Sequence, residues 1–427
     1  METIKEYLTK SLTSYHAVQE MINILNENGF KELKESERWE LEEDGSYYVC
    51  RDSSSLIAFK TKKGNGYNIV ASHTDSPCLK IKSNKEMKVE NYTKLNVEVY
   101  GGALYYTWLD KPLKIAGRVI CKNKSKGVLE SKLIESSSNL VIPSVAIHMN
   151  REVNMSLKLN QQVDLSPLCG INLTHNYLDS IIKKSLNDDN LEPLDYDLYL
   201  TNVTENFYVG ENNELLCSPR IDNLTSAYAS VISLIKSNPK KTSLAVLFDN
   251  EEVGSSTKQG AGGKFLIDTL KRINKGLNSE NELEVELASS FMVSADNAHA
   301  VHLNHSELND PTNKVLMGNG IVIKHHANQN YTTDAFSSSI FKEILKKGKI
   351  KYQDFFMKSD MRCGSTLGAI SSTQVSIRSV DIGLGQLAMH SNMETVSVED
   401  CKEMEKGLKF FYESDVSFVD YGKVKID

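Results

Sequence analysis

The sequence predicts an α/β fold: an α/β/α layer built on a mixed sheet, with a second, mostly β unit inserted into it. Three observations carry this expectation. Apolar runs of strand length alternate with helix-period stripes in residues 1–85 and again in 215–427. Between them, residues 86–214 change to short segments of alternating polarity punctuated by glycine. A chain of 427 residues also exceeds what one hydrophobic core usually serves, so two domains are expected.

Taken in order, the first segment opens with a helix. Ser14 is its expected cap, Val18, Met21, Ile22 and Leu25 form its apolar stripe, and Gly29 closes it. Residues 67–72 read as a strand that stops at the polar stretch HTDSP, His73 to Pro77. Within the insert, residues 95–99 alternate like a half-buried strand, Gly101, Gly102 and Gly117 mark breaks, and residues 177–186 carry a helical pattern. After SPRID, Ser218 to Asp222, helix and strand alternate again. Helices are expected at 224–236, 334–347 and 398–413, the last capped by Ser397, and strands at 243–248, 291–295, 321–324 and 374–380. There is no internal repeat and no low-complexity tract.

Composition narrows the class. Forty per cent hydrophobic and 25% charged residues are ordinary for a globular protein, and the net charge of −7 argues against nucleic acid or an anionic membrane as partner. No window approaches the roughly 18 apolar residues of a membrane span, and the polar N-terminal stretch does not resemble a signal peptide. The seven cysteines are scattered without CxxC spacing, which suggests free thiols in a reducing cytoplasm.

The stretch FDNEEVGS, Phe248 to Ser255, puts Asp249, Glu251 and Glu252 at the end of an apolar run. Adjacent carboxylates repel, and burying an unpaired one costs several kcal/mol or forces protonation, unless a cation neutralises them. As a lone motif it is equally well a solvated turn. Four further clusters sit where strands should stop: His73 and Asp75 in HTDSP, Asp222 in SPRIDN, Asp296 in SADNAHA and His390 in AMHS. Ligands of open α/β sheets gather at the carboxyl ends of strands. Mixed imidazole and carboxylate donors suit zinc, cobalt or manganese, and there are too many for one catalytic zinc. They suit two ions about 3.5–4 Å apart, with one bridging carboxylate and one left free as a base.

ASHTDSPCL, SPRIDNL, FDNEEVGS, SADNAHAVH and QLAMHS, in this order, resemble the aspartyl aminopeptidase family of co-catalytic zinc peptidases over almost the whole chain. The resemblance implies two divalent ions, zinc first, with His73 and Asp296 holding one, Glu252 and His390 the other, and Asp222 bridging. It implies Glu251 as general base and Asp75 as the carboxylate orienting His73. Substrate contacts are implied for His299, for Lys324 and Tyr331 in GIVIKHHANQNYTT, and for His148 in IPSVAIHMNR, which would reach a neighbouring subunit's site. The insert would be a dimerisation domain, the assembly a dodecamer, and the substrates peptides with a free N-terminus, acidic residues being slightly favoured. Asn297, Asn330, Met393 and the stretch Ser359 to Thr366 depart from the family pattern, which bears on substrate preference. A deacylase or dipeptidase could use the same metal pair. A self-assembling shell that has lost activity would not need to keep the ligands and base together.

Overall fold

A computed structural model describes residues 3–63, 65–420 and 422–427. Its largest element is a nine-stranded mixed sheet, ordered Lys31–Leu33, Ser46–Arg51, Ser55–Lys60, Thr242–Phe248, Tyr67–His73, Phe291–Ala295, Arg378–Gly383, Ile321–His325 and Tyr352–Phe356. From Thr242–Phe248 to Arg378–Gly383 the consecutive strands are parallel. Every residue of Thr242–Phe248 and Tyr67–His73 is buried, as expected of parallel strands covered on both faces. Helices Ser14–Glu27, Ile221–Lys236, Ala335–Lys347 and Val398–Glu413 pack one face through Val18, Leu224, Phe341 and Leu408. Phe265–Gly276 and Leu367–Gln374 cover the other through Phe265, Leu270 and Leu367. Each such fully buried side chain contributes about 1.5–3 kcal/mol. The α/β class with helices on both faces of a mixed sheet is therefore the one observed.

The second sheet has six antiparallel strands, ordered Val128–Glu135, Leu113–Asn123, Leu191–Asn202, Cys78–Val89, Tyr92–Tyr100 and Leu168–Ile171. With helix Tyr177–Leu186 it encloses its own core around Leu95, Leu113, Leu178 and Leu198. A five-stranded sheet of Phe207–Val209, Leu215–Ser218, Glu394–Ser397, Gly385–Leu387 and Ala298–His299 underlies the functional edge.

Two local expectations are corrected. Residues 367–374 form a helix, and pairing starts only at Arg378, so the strand is Arg378–Gly383 and not 374–380. The alternation that suggested an earlier start comes from Val375 and Ile377, which are buried as the link passes under the sheet. The helix expected between Ser14 and Gly29 is present as Ser14–Glu27, with left-handed Gly29 just beyond it, but it does not open the chain. A helix at Ile4–Lys10 precedes it, held by a Thr3/Glu6 capping box, and Thr13 takes the cap position before Ser14.

Candidate metal centre

Strand ends deliver the clustered side chains. His73 closes strand Tyr67–His73, and Asp296 follows Phe291–Ala295. Asp222 lies at the start of helix Ile221–Lys236, and His390 lies in the loop before Glu394–Ser397. Glu251 and Glu252 occupy one short 3₁₀ turn flanked by Asn250 (φ 61°) and Gly254 (φ 95°), both left-handed. In a strand, neighbouring residues face opposite sides. The turn removes that alternation and brings both glutamates to the same centre. Asp249 does not join them: it is buried, and enclosure beside Asp75 pushes its carboxyl up to about 7.

Asp222 organises the geometry. Its Oδ1 lies 3.6 Å from Nε2 of His73, and its Oδ2 lies 3.5 Å from Nε2 of His390. Asp296 Oδ1 is 3.8 Å from the same nitrogen of His73, and Glu252 Oε2 is 3.5 Å from that of His390. Two ligand groups result, His73–Asp222–Asp296 and Asp222–Glu252–His390, each with donor atoms within 4.8 Å of one another. A third such group joins His73, Glu251 and Glu252.

Both imidazoles are fixed from behind. Nδ1 of His73 donates toward Asp75, 3.1 Å from its carbonyl and 3.3 Å from Oδ1, which leaves Nε2 as the free electron pair. Nδ1 of His390 donates to the carbonyl of Gly102 at 3.1 Å, with the same consequence. Asp75 also accepts the backbone N–H of Glu251 and of Glu252, each at 3.1 Å, so it shapes the glutamate turn as well.

The donor set fits divalent cations. Asp222 Oδ1 and Glu252 Oε1 are buried and have no hydrogen-bond partner among the described residues, which a carboxylate tolerates only when something else meets it. Without a cation the two glutamates resist ionisation: burial raises Glu252 well above the ordinary range and pushes Glu251 up to about 8, with Asp296 and Asp75 adding to the latter. Two nitrogens with carboxylates on both sides suit zinc, cobalt or manganese.

The implied substrate residues separate. Tyr331 and Lys324 are buried together, the ammonium 4.9 Å from the ring centre. Lys324 Nζ donates to the carbonyls of Asp296 at 2.7 Å and Asn297 at 3.1 Å, so two of its three protons serve the backbone. His299 keeps an open face beside them, and surrounding protein followed by Lys324 lowers its pKa. His148 is exposed on a turn of the six-stranded unit and belongs to none of the ligand groups. Asn297 is a buried hub: its amide donates to Ile221, Thr225 and Gln386, which stiffens the approach to Asp222. Asn330 binds the carbonyls of Cys363 and Gly364, and neither it nor Met393 brings a charge to the cluster.

Sequence reasoning missed Glu394. This buried carboxylate accepts the backbone N–H of His390 at 2.7 Å and of Asp222 at 2.9 Å, tying two residues of the cluster from different elements. Burial and then Asp222 push its carboxyl up to about 8. Its only signal was an acid four residues after His390, too common a spacing to single out.

The family model described as aminopeptidase I zinc metalloprotease (M18) matches residues 7–412. The chain belongs to this M18 family. A probable M18 family aminopeptidase 2 of Clostridium novyi is 43% identical over 419 residues, 95% of this chain and 97% of its own. A probable aspartyl aminopeptidase of Ricinus communis is 33% identical, covering 99% of this chain and 96% of its own. Among solved structures, the cryo-EM structure of the Ape4 and Nbr1 complex superposes with TM-score 0.90 at 32% identity, over 96% of this chain and 84% of that one. The S. cerevisiae mApe1 dodecamer gives 0.84 at 26%, over 96% and 95%. This M18 protein is thus a zinc metallo-aminopeptidase, a hydrolase of peptide bonds. No helix among its described residues is long and apolar enough to cross a membrane.

Proposed function

We propose that the cluster holds two divalent ions and that the enzyme uses them to remove N-terminal residues from peptides. His73 and Asp296 hold one ion, Glu252 and His390 the other, and Asp222 lies between. The observation that carries this reading is the division of Asp222, one oxygen toward each imidazole. When bound, the ions supply Lewis acidity toward the scissile carbonyl and acidify the attacking water. Glu251 takes the proton from that water and hands it to the leaving amine, a role open to it because it sits in the His73–Glu251–Glu252 group without being one of the three carboxylates assigned to the ions. Asp75 keeps the His73 ring and the glutamate turn in place while the proton moves. The substrate's α-ammonium sits among the carboxylates, which selects chain ends over internal bonds.

His299, Lys324 and Tyr331 contact the substrate, Lys324 through the one proton its backbone bonds leave free. With so little of that cation available, acidic N-terminal residues are favoured only slightly and neutral ones are accepted. Residues 1–85 and 215–427 form the catalytic domain, and 86–214 form a dimerisation domain that builds a dodecamer and carries His148 to a neighbour. The dodecamer of the S. cerevisiae relative supports this. So do the exposed Val145, Met149, Met155 and Val163 on the insert. Seven free cysteines suit a reducing cytoplasm.

Metal content after native purification, followed by hydrolysis of a length series of peptides, tests the reading. Two divalent ions per chain and stepwise release of N-terminal residues from long peptides are expected. Activity confined to dipeptides or N-acyl amino acids would favour a dipeptidase or deacylase. Absence of bound zinc, cobalt and manganese would favour a shell protein.

A further inference from the structure

One short piece of the six-stranded unit backs both imidazoles, His390 directly and His73 through Asp75. Strand Tyr92–Tyr100 ends at Tyr100, whose hydroxyl donates to Asp75 Oδ2 at 2.7 Å and accepts from Asn250 Nδ2 at 2.8 Å. Two residues later, the Gly102 carbonyl receives Nδ1 of His390. The glycines permit this approach. A Cβ on Gly101 would stand 3.0 Å from Cβ of Glu252, and one on Gly102 would stand 3.3 Å from Nδ1 of His390. Gly101 is also left-handed, at φ +73°, where a side chain is strained. Farther along, the Leu104 N–H donates to the His390 carbonyl at 3.0 Å, and Thr107 Oγ1 accepts the Asn392 N–H at 2.9 Å.

Residues 100–107 therefore touch the outer side of both ligand groups, His73 through Asp75 and the Glu252–His390 pair directly. Packing does not require the Tyr100 hydroxyl, because a phenyl ring would fill the same space. The hydroxyl's partners are Asp75 and the amide of Asn250, the residue that opens the glutamate turn.

We propose that Tyr100, Gly101 and Gly102 are positioning residues for both metal subsites, so that the six-stranded unit completes the metal centre of its own chain. This rests on the ligand assignment proposed above. Tyr100 holds Asp75 in the rotamer that serves His73 Nδ1 and the N–H groups of Glu251 and Glu252. The glycine pair lets the main chain fix the His390 tautomer without displacing Glu252. Contacts behind metal ligands of this kind typically change affinity by about 10–100-fold when removed.

The test uses the full chain, metal-stripped, in wild-type form and as Tyr100→Phe, Gly101→Ala, the double variant and Tyr199→Phe. Tyr199 packs edge-on to Tyr100 with ring centres 6.0 Å apart, and it controls for the loss of an aromatic hydroxyl in the same packing. Zinc affinity is read by chelator competition and the ligand field by the visible absorption of the cobalt-substituted protein. Tyr100→Phe is expected to weaken zinc binding about 10-fold or more and to shift the cobalt bands. Circular dichroism of its metal-free form should match the wild type, and Tyr199→Phe should change neither metal readout. Gly101→Ala should weaken binding from the other side, and the double variant should lose less than the product of the single losses, since both act on one clasp. If wild type binds two ions and Tyr100→Phe binds them with equal affinity and an unchanged spectrum, the inference is overturned. Equal losses in Tyr199→Phe assign the effect to packing and overturn it too. A wild type that binds fewer than two ions instead overturns the ligand assignment.

Discussion

The ammonium of Lys324 donates to the main-chain carbonyl of Asp296 at 2.7 Å, while the Asp296 carboxylate stays 3.9 Å away. The lysine therefore braces the strand end that presents the Asp296 carboxylate to the cluster. In Lys324→Met that carbonyl loses a charged donor, a change worth about 1.5–3 kcal/mol. We expect kcat/KM to fall roughly tenfold or more for Asp-, Glu-, Leu- and Lys-initiated peptides alike. Any advantage of acidic peptides should shrink less than the common loss. A collapse limited to acidic peptides, with Leu-initiated ones untouched, would contradict this.

Glu251 and Glu252 share a turn but are assigned different work. Glu251→Gln should cost about 10²–10⁴-fold in kcat while both ions still bind. Glu252→Gln should lose one equivalent of metal. Elemental analysis of the two purified variants decides the matter, and equal metal loss in both would show the division to be wrong.

His148 is exposed on the insert, away from its own chain's ligand groups. If it serves a neighbour, mixing inactive His148→Ala subunits with inactive Glu251→Gln subunits restores part of the activity. Verified mixing without recovery would remove His148 from the neighbouring site.

His16 gives a pH dependence remote from the metal centre. Burial first, and then Arg220, lowers its pKa to about 4 against an opposing pull from Glu135, and its Nδ1 pairs with Thr13 Oγ1 at 2.9 Å. Its folded pKa lies below the unfolded value of about 6.5, so the unfolded chain binds more protons between the two. The stabilisation is present above about 6.5, is lost as pH falls through this window, and is gone below about 4. Thermal midpoints of wild type and His16→Gln, measured from pH 7 to 4.5, should converge as pH falls. Parallel curves would show that His16 titrates normally.

Strand positions and the clustering of His73, Asp222, Glu252, Asp296 and His390 were legible because they combine two independent signals. Thr242–Phe248 is an apolar run, and its end carries charges that make no sense without a partner. Contacts made by the main chain were not legible: nothing in the sequence says that the Gly102 carbonyl meets His390 or that Asp75 bonds to the N–H of Glu252. The partners of Lys324 were not legible either: its charge suggested a cation near the substrate, and the fold also turns two of its three protons toward the carbonyls of Asp296 and Asn297. Helix Leu367–Gln374 was missed because its weakly amphipathic sequence gives no stripe, and Val375 and Ile377 imitate a strand just beyond it.

Asp75 receives donors on both oxygens: Oδ1 faces His73 Nδ1 and the Glu251 N–H, and Oδ2 faces the Glu252 N–H and the Tyr100 hydroxyl. A position surrounded only by donors has little mutational freedom. Asparagine matches the shape, but its amide would point hydrogens at hydrogens on one side, and glutamate would push the carboxylate past its partners. Even the gentlest replacement thus disturbs the His73 imidazole and the turn that carries both Glu251 and Glu252. A library randomised at residue 75 and selected for activity should return aspartate almost alone. The same selection at residue 297, also buried but with a mixed set of partners, should tolerate other side chains able both to give and to accept.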